Sequence, residues 1–308
     1  MSVEANPRIV SVSRRTDIAA FYSRWFLARI RAGYCDSINP FNSQERRISL
    51  TPSDVLGFVF WTRYPAPMLP RLDELSARGF RYYFHVTING YGRELEARNP
   101  GLSRAISSFR ALSETISAQR TLWRYDPIII SDRTPVEYHA RRFEEIARGL
   151  EGYTRRCYFS FLDLYGKTRP NLVSLERRGG PSVCDTGVDA KRSIAALLRD
   201  IAASYGITMY ACCEDSVIAE GIEKAHCVET GLLMPDDSVS LKSAPTREQC
   251  GCVESVDIGA YDTCRFGCVY CYATNSYEAA SRRAGLHSPE GTALWRPERR
   301  ANSPVPAG

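Results

Sequence analysis

The sequence predicts an α/β protein built on a parallel (β/α) barrel, partial or full, and three observations lead to this fold class. Six runs rich in apolar and β-branched residues recur along the first two-thirds of the chain, at 9–13, 57–61, 82–88, 121–125, 157–162 and 207–212. Helical patterns separate these runs, and strands that alternate with helices form parallel sheets. No G-x-G-x-x-G motif follows the first run, which disfavours a dinucleotide-binding sheet and favours a barrel.

The helices between the strands follow from apolar spacing and start signals. A helix should begin at Thr134, because Thr134, Pro135 and Glu137 form a capping signature, and apolar positions continue to Leu150. Apolar residues at positions i, i+3, i+4 and i+7 also predict a helix through Ile194. The remaining helices are predicted at 21–30, 68–77, 103–116 and 276–284, the last after a seventh strand at 256–260.

These elements divide the chain into three parts. Residues 1–215 form a (β/α)6 barrel portion, and residues 216–286 form a cysteine-rich segment that completes the barrel and carries the metal site. From 287 to 308 several prolines stand among small and charged residues, so we expect a disordered tail.

The composition is that of a soluble globular protein. Of 308 residues, 44% are hydrophobic and 24% are charged, and no apolar run is long enough to cross a bilayer. No secretory signal opens the chain, so we expect a cytoplasmic protein with no membrane partner. The net charge of +5 permits contact with nucleic acid without indicating it. In a reducing compartment the 11 cysteines suit metal binding or redox chemistry better than disulfides.

The predicted strands end in charged, aromatic and hydroxyl side chains, which a parallel barrel brings to one mouth. Two strand ends, 14–17 and 124–126, combine arginine with a carboxylate, and His85 is expected at the same mouth. Arginine binds carboxylates and phosphates through paired hydrogen bonds. We therefore take Arg124 and Asp126 as candidate catalytic residues that meet an anionic substrate. The alternative is that strand ends are polar because they reach the surface.

Three cysteines form the most specific motif of the chain. Cys264, Cys268 and Cys271 have the spacing C-x3-C-x2-C in a loop between the seventh predicted strand and the last predicted helix. Full protein ligation of a 4Fe-4S cluster takes four cysteines, so three cysteines leave one iron open to a substrate or cofactor. A structural zinc site completed by a remote cysteine or histidine is the alternative.

The motif resembles that of the radical S-adenosylmethionine superfamily, including an aromatic residue, Tyr270, directly before the last cysteine. The resemblance implies an enzyme whose 4Fe-4S cluster binds the amino and carboxylate groups of S-adenosylmethionine through its open iron. It implies cleavage of this cofactor to a 5′-deoxyadenosyl radical that abstracts hydrogen from substrate. An electron donor such as flavodoxin or ferredoxin would be a partner, and Tyr270 would lie beside the adenine.

A wider resemblance covers most of the chain. Segments 11–22, 58–63, 123–131 and 250–273 are similar to a bacterial family of unknown function with a C-terminal cysteine cluster like the radical-enzyme one. Radical enzymes normally carry the motif after their first strand, so the resemblance implies a permuted barrel. In it, strand 256–260 lies parallel to strand 9–13 and beside it. Arg15, Thr16 and Asp17 would then hold the cofactor, with Asp17 paired to its ammonium group.

Five further cysteines lie between the sixth strand and the three-cysteine motif. Two thiolates one residue apart, with two more from remote segments, could close a four-cysteine site. The resemblance to the bacterial family assigns this site to Cys213, Cys227, Cys250 and Cys252 and leaves Cys212 out. It could hold a second 4Fe-4S cluster or a structural zinc, or the cysteines could stay unligated. His226 is an alternative ligand.

Two functions of other classes stand beside the radical enzyme. One is a zinc-stapled nucleic-acid-binding protein, favoured by the arginine content, although zinc ribbons space their cysteines in x2 pairs. The other is an iron–sulfur electron-transfer protein, for which six strand–helix units are a large scaffold. Metal content separates these alternatives, because iron with sulfide excludes the first of them. The sequence leaves the substrate, the oligomeric state and the electron donor open.

Overall fold

The structure, a computed structural model, describes residues 7–164, 166, 168–234 and 239–297. Most of its strands coincide with the predicted apolar runs to within a few residues, because those runs are long and buried. The strands are β1 (Arg8–Val12), β2 (Tyr34–Ile38), β3 (Glu45–Ser49), β4 (Val55–Thr62), β5 (Tyr82–Thr87), β6 (Thr121–Ile128), β7 (Arg156–Phe161), β8 (Thr208–Ala211), β9 (Ile222–Lys224) and β10 (Ser255–Asp257). β2 and β3 form a separate antiparallel hairpin.

The other eight strands form one parallel sheet in the order β10-β1-β4-β5-β6-β7-β8-β9. β10 runs parallel to β1 and lies beside it, with Ile9 opposite Ser255 and Ser11 opposite Asp257. This pairing confirms the predicted place and direction of the late strand. Among the described residues β9 and β10 are unpaired edges. The large parallel sheet that the sequence predicts is therefore present, and the described strands do not close it into a barrel.

The helices lie where apolar spacing places them, with the addition of a one-turn helix after β1 and a helix after β7. They are α1 (Ile18–Phe21), α2 (Ser23–Ala32), α3 (Leu72–Ala77), α4 (Leu102–Ile116), α5 (Val136–Leu150), α6 (Thr168–Arg177), α7 (Val188–Ser204) and α8 (Tyr277–Gly285). The predicted cap of α5 at Thr134 is wrong. Pro135 is the N-cap, because the Thr134 hydroxyl donates to the Ile129 carbonyl instead. No helix in the described ranges has the length and hydrophobicity needed to span a membrane.

The two faces of the sheet are covered by different parts of the chain. Side chains alternate between the faces along a strand, so Val10 and Trp123 pack with the helices in the larger core. Tyr83 on the opposite face packs with the cysteine-rich segment, including Leu233. The segment and the sheet approach each other closely at Gly57, where a Cβ atom would lie 2.5 Å from the Leu233 side chain. The cysteine-rich segment therefore lies against the sheet face that the helices leave open.

Residues 287–297 also pack on the domain, which corrects the expected start of the disordered tail. The indole of Trp25 donates to the Gly291 carbonyl at 2.8 Å, and Leu294 is buried. Arg296 forms an ion pair with Asp36. Prolines do not prevent this packing, because side chains of the domain supply the hydrogen bonds that an irregular segment needs. The rest of the predicted tail, 298–308, lies outside the described residues.

Candidate functional site

The carboxyl ends of the parallel strands open onto one cavity of about 1250 Å³. The three-cysteine motif follows β10 at this end of the sheet, in the loop before α8. The predicted catalytic, cofactor-binding and cysteine ligands all line the cavity: Arg15, Thr16, Asp17, Arg124, Asp126, Tyr270, Cys213, Cys227, Cys250, Cys252, Cys264, Cys268 and Cys271. The structure thus brings together groups that are up to about 250 residues apart in the chain.

Backbone hydrogen bonds hold the motif loop against the segment after β5. The amide of Val269 donates to the Leu95 carbonyl at 3.0 Å, and the amide of Arg98 donates to the Phe266 carbonyl at 3.1 Å. Gly267, between the first two motif cysteines, has a φ of 68°, a left-handed conformation that glycine adopts without steric cost. The loop is therefore shaped by main-chain contacts on both sides of Gly267.

Burial sets the protonation of the motif thiols. It raises the pKa of Cys264 well above that of an ordinary thiol, and the neighbouring Cys271 adds to this shift. Burial also raises the pKa of Cys268 to about 12, although the Arg63 guanidinium opposes the shift. Cys264 and Cys268 therefore carry protons at neutral pH, and a metal that binds them must displace these protons.

Tyr270 is fixed by a buried network that sequence patterns do not reveal. Its hydroxyl donates to the Glu96 carboxylate and accepts hydrogen bonds from Arg63 Nη2 at 2.8 Å and Asn89 Nδ2 at 3.1 Å. Arg63 also pairs with Glu96 at 2.7 Å. Arg63 ends a predicted strand, which was a weak signal, whereas Asn89 and Glu96 lie in a loop with no pattern. The network fixes the Tyr270 ring at the cavity wall beside the motif.

Asp17 holds two strand ends together and has little capacity left for a ligand. Its Oδ1 accepts a hydrogen bond from the Ala20 amide at 2.8 Å and so caps α1. Its Oδ2 accepts hydrogen bonds from Thr62 Oγ1 at 3.0 Å and from the Arg63 amide at 2.7 Å. Burial raises the pKa of Asp17 to about 6, and these hydrogen bonds limit the rise. Asp17 is thus a positioning residue, and an ammonium group would have to share its carboxylate.

Asp257 links β10 to the end of β1. It also forms an ion pair with Arg15, which the resemblance had assigned to the cofactor. Its carboxylate accepts hydrogen bonds from the hydroxyls of Ser11 and Ser13, both at 2.7 Å, and pairs with Arg15 Nε at 3.0 Å. Burial alone would raise the pKa of Asp257, but Arg15 and the two hydroxyls hold it below its usual range. The sequence did not indicate this role, because the predicted strand 256–260 places Asp257 near its start, whereas β10 ends at Asp257.

Thr16 and His85 are both buried, but only Thr16 faces the cavity. The Thr16 hydroxyl has no hydrogen-bond partner among the described residues. Buried hydroxyls normally have one, so the Thr16 oxygen is an unsatisfied polar group next to the cavity. His85 was expected at the mouth but lies beneath the cysteine-rich segment, where its Nε2 is hydrogen-bonded to the Cys227 carbonyl at 2.8 Å. Burial lowers the pKa of His85 to about 3, so its ring is neutral.

The remaining cysteines form a second group at the same cavity. The sulfurs of Cys212 and Cys227 are 3.4 Å apart. Cys213, Cys250 and Cys252 line the cavity with them. Cys212, left out of the predicted second site, therefore lies within it. The sequence could not show this, because its contact with Cys227 depends on how β9 returns the chain to the end of β8.

Two arginines direct positive charge at this second group. Arg124 Nη1 lies 3.1 Å from Cys227 Sγ, and Arg124 Nη2 pairs with Asp126 at 2.6 Å. Arg247 Nη2 lies 3.7 Å from Cys212 Sγ. Hydrogen bonds from its neighbouring thiols, together with the two guanidiniums, hold the pKa of Cys212 well below its usual range. Arg124 and Asp126, predicted to meet the substrate, thus border the second cysteine group.

In kind and number, the cysteines of both groups match the ligands of iron–sulfur clusters. In the part of the chain that the structure describes, no three Cys, His, Asp or Glu side chains are arranged to hold one metal ion. The cysteines of a 4Fe-4S cluster bind different irons, so their sulfurs need not converge on one point. The three motif cysteines line one cavity and equal in number the ligands of a cluster with one open iron.

A family model described as a domain of unknown function (DUF1848) matches residues 9–273. No curated protein matches the chain significantly. Among solved structures, deoxyribose phosphate aldolase from Aeropyrum pernix is 14% identical over 76% of this chain and 90% of that chain, with a TM-score of 0.28. The carboxyl transferase domain of Rhizobium etli pyruvate carboxylase is 14% identical over 95% of this chain and 46% of that chain, with a TM-score of 0.29. These likenesses are too distant to bear on activity.

Proposed function

The chain belongs to the DUF1848 family, a domain of unknown function, and we propose that it is a radical S-adenosylmethionine enzyme that acts on an anionic substrate. One observation carries the proposal. Cys264, Cys268 and Cys271 lie after the carboxyl end of a parallel strand and line a cavity with residues from the ends of β1, β4 and β6. Ligands of parallel-barrel enzymes lie at this end of the strands.

The three motif cysteines would hold a 4Fe-4S cluster, and Thr16 and Tyr270 would line the place of the cofactor. When bound, such a cluster supplies the electron that cleaves S-adenosylmethionine and thereby starts hydrogen abstraction from the substrate. Arg63, half-buried beside Cys268 and paired with Glu96, places positive charge next to the cluster ligands. This charge would stabilise metal-bound thiolates, because the cavity wall shields the pair from water.

Unpaired arginines support an anionic substrate. Arg14 and Arg46 line the cavity, and neither has a carboxylate within ion-pair distance among the described residues. Arg14 Nη2 donates to Ser255 Oγ at 2.8 Å, which holds its guanidinium at the strand ends. Guanidinium groups without an internal partner bind carboxylates and phosphates well, since their planar donors match both anions.

Cofactor cleavage tests the proposal. Anaerobically reconstituted protein with dithionite should convert S-adenosylmethionine to 5′-deoxyadenosine and methionine, measured by chromatography. The triple variant Cys264→Ala, Cys268→Ala, Cys271→Ala should fall to background, because no protein ligand remains for the cluster. The matched control is Cys184→Ala, which changes an exposed cysteine away from the cavity and should keep full cleavage.

Two results would contradict the proposal. One is cleavage that persists in the triple variant while circular dichroism shows the same fold as the wild type. The other is a wild-type protein that holds iron and sulfide but never cleaves the cofactor. A protein that takes up zinc in place of iron would favour the nucleic-acid-binding alternative.

A further inference from the structure

We propose that the second cysteine group binds a 4Fe-4S cluster of its own. Its ligands would be Cys227, Cys250, Cys252 and one thiolate of the adjacent pair Cys212 and Cys213. This inference does not rest on the proposed function, because none of these residues belongs to the three-cysteine motif.

Three separate parts of the chain converge to build the group. Cys212 and Cys213 follow β8, Cys227 follows β9, and Cys250 and Cys252 precede β10. Packing alone does not need five cysteines here, since any small apolar residue would fill the same space. A site assembled from three segments that face one cavity is the arrangement expected of metal ligands.

Gly251 permits the close approach that the group requires. A Cβ atom at this position would lie 2.7 Å from His226 Nδ1 and 3.0 Å from the Ala225 carbonyl. Any larger residue would therefore push Cys250 and Cys252 away from Cys227. His226 Nδ1 is hydrogen-bonded to the Gly251 carbonyl, so the histidine supports the cysteines rather than replacing one of them as a ligand.

The positive groups around the cysteines match the charge of a ligated cluster. Arg124 is buried, and one of its nitrogens is directed at Cys227 Sγ at 3.1 Å. Asp126 pairs with Nε and Nη2 of Arg124, whereas Nη1 faces Cys227, and a neutral thiol is a weak acceptor. A metal-bound thiolate carries negative charge and is the better partner for Nη1. Arg247, which is partly exposed and pairs with Asp163 at 3.0 Å, places a second guanidinium nitrogen 3.7 Å from Cys212 Sγ.

The number of cysteines is sufficient for a cluster. A cubane takes four thiolates on four irons, and the group offers five, two of them on adjacent residues. Cys213 has a φ of 58°, a left-handed conformation that is uncommon outside glycine. This turn lets both members of the adjacent pair line the cavity, and one of them would complete the ligand set.

Iron content tests the inference on the full-length protein. Reconstituted wild type should hold about eight irons and eight sulfides, and the triple variant of the three-cysteine motif about four of each, if both clusters are cubanes. The reduced triple variant should keep the electron paramagnetic resonance spectrum of an iron–sulfur cluster. The double variant Cys250→Ala, Cys252→Ala should also hold about four irons, while Cys184→Ala should match the wild type.

Single variants test the ligand set. Cys227→Ala should lose the second cluster, whereas only one of Cys212→Ala and Cys213→Ala should do so. Thermal melting of each apoprotein checks that the fold is kept. The inference is overturned if the triple variant holds no iron, if zinc replaces iron in it, or if Cys212 and Cys227 form a disulfide after reconstitution.

The two proposals fail separately. A wild type with about eight irons that does not cleave S-adenosylmethionine removes the proposed function and leaves the second cluster. A wild type that cleaves the cofactor, with a triple variant devoid of iron, removes only the second cluster.

Discussion

At the scale of single residues, two strand-end carboxylates of the same mouth have opposite pKa shifts. Asp17 receives its hydrogen bonds mainly from neutral groups, and burial raises its pKa to about 6. Asp257 pairs directly with Arg15, which holds its pKa below the usual range despite burial. The two pKa values shift in opposite directions because Asp257 forms an ion pair with a cation and Asp17, among the described residues, does not. Only the cation offsets the loss of hydration that burial causes. Asp17 is therefore the carboxylate of this pair that takes up a proton near pH 6.

Replacing Asp17 with alanine should destabilise the fold by about 2–4 kcal/mol, since α1 loses its cap and two buried donors lose their acceptor. The stability that Asp17 contributes should be largest below its unfolded pKa of 3.8 and should fall as pH rises through about 6. Urea unfolding of wild type and variant near pH 4.5 and pH 7.5 measures this. A stability difference that grows with pH would contradict the raised pKa.

At the scale of elements, the site depends on a strand of three residues. β10 pairs on one side with β1, and the other side is an edge among the described strands. So short a ladder supplies few hydrogen bonds, and Asp257 adds side-chain contacts to Ser11, Ser13 and Arg15. This one carboxylate therefore anchors the strand that leads into the three-cysteine motif.

The variant Asp257→Asn should lower stability by about 2–4 kcal/mol, because an amide nitrogen cannot accept the hydrogen bonds that the lost oxygen accepts. Hydrogen exchange in 255–257 should become faster than in β6. The loss of stability in the variant should be largest above about pH 4. It should shrink at lower pH, because the wild-type carboxylate, whose pKa is lowered in the folded state, becomes protonated there and loses its ion pair. The control Asp189→Asn changes an exposed ion pair with Arg192 and should leave exchange unchanged. Equal exchange in the Asp257 variant and wild type would contradict this role.

The sequence predicts those elements whose pattern lies within a few neighbouring residues, and it misses those that depend on contacts between separate segments. The long apolar runs and the cysteine spacing are local, so most strands of the sheet and the three-cysteine motif were found. The hairpin β2–β3 was missed because few of its residues, such as Cys35 and Ile48, are buried. The contacts of Arg63 with Glu96 and of Cys212 with Cys227 join distant segments, and no periodicity records them.

At the scale of the whole molecule, peripheral segments complete a domain whose sheet does not close. The cysteine-rich segment covers one sheet face, and residues 287–297 pack near α2 through Trp25 and Arg29. Both cysteine groups face one cavity at the carboxyl ends of the strands. The site is therefore a property of the assembled chain and not of any one segment.

A chain ending at Leu286 should be less stable than one ending at Pro297, by about 2–4 kcal/mol. The shorter chain loses the burial of Leu294 and leaves the Trp25 indole without its acceptor. Thermal melting of the two truncated proteins measures the difference directly. Equal melting temperatures would show that the contacts of 287–297 contribute nothing.

The place of β10 beside β1 has a consequence for how the protein is made. The ribosome completes β10 roughly 240 residues after β1, which at cellular translation rates is on the order of ten seconds to a minute. Throughout that time β1 has an open edge, the kind of surface that pairs with other chains. The cysteines of both groups also emerge in this late part of the chain. Any metal they bind is therefore acquired after most of the protein has been synthesised.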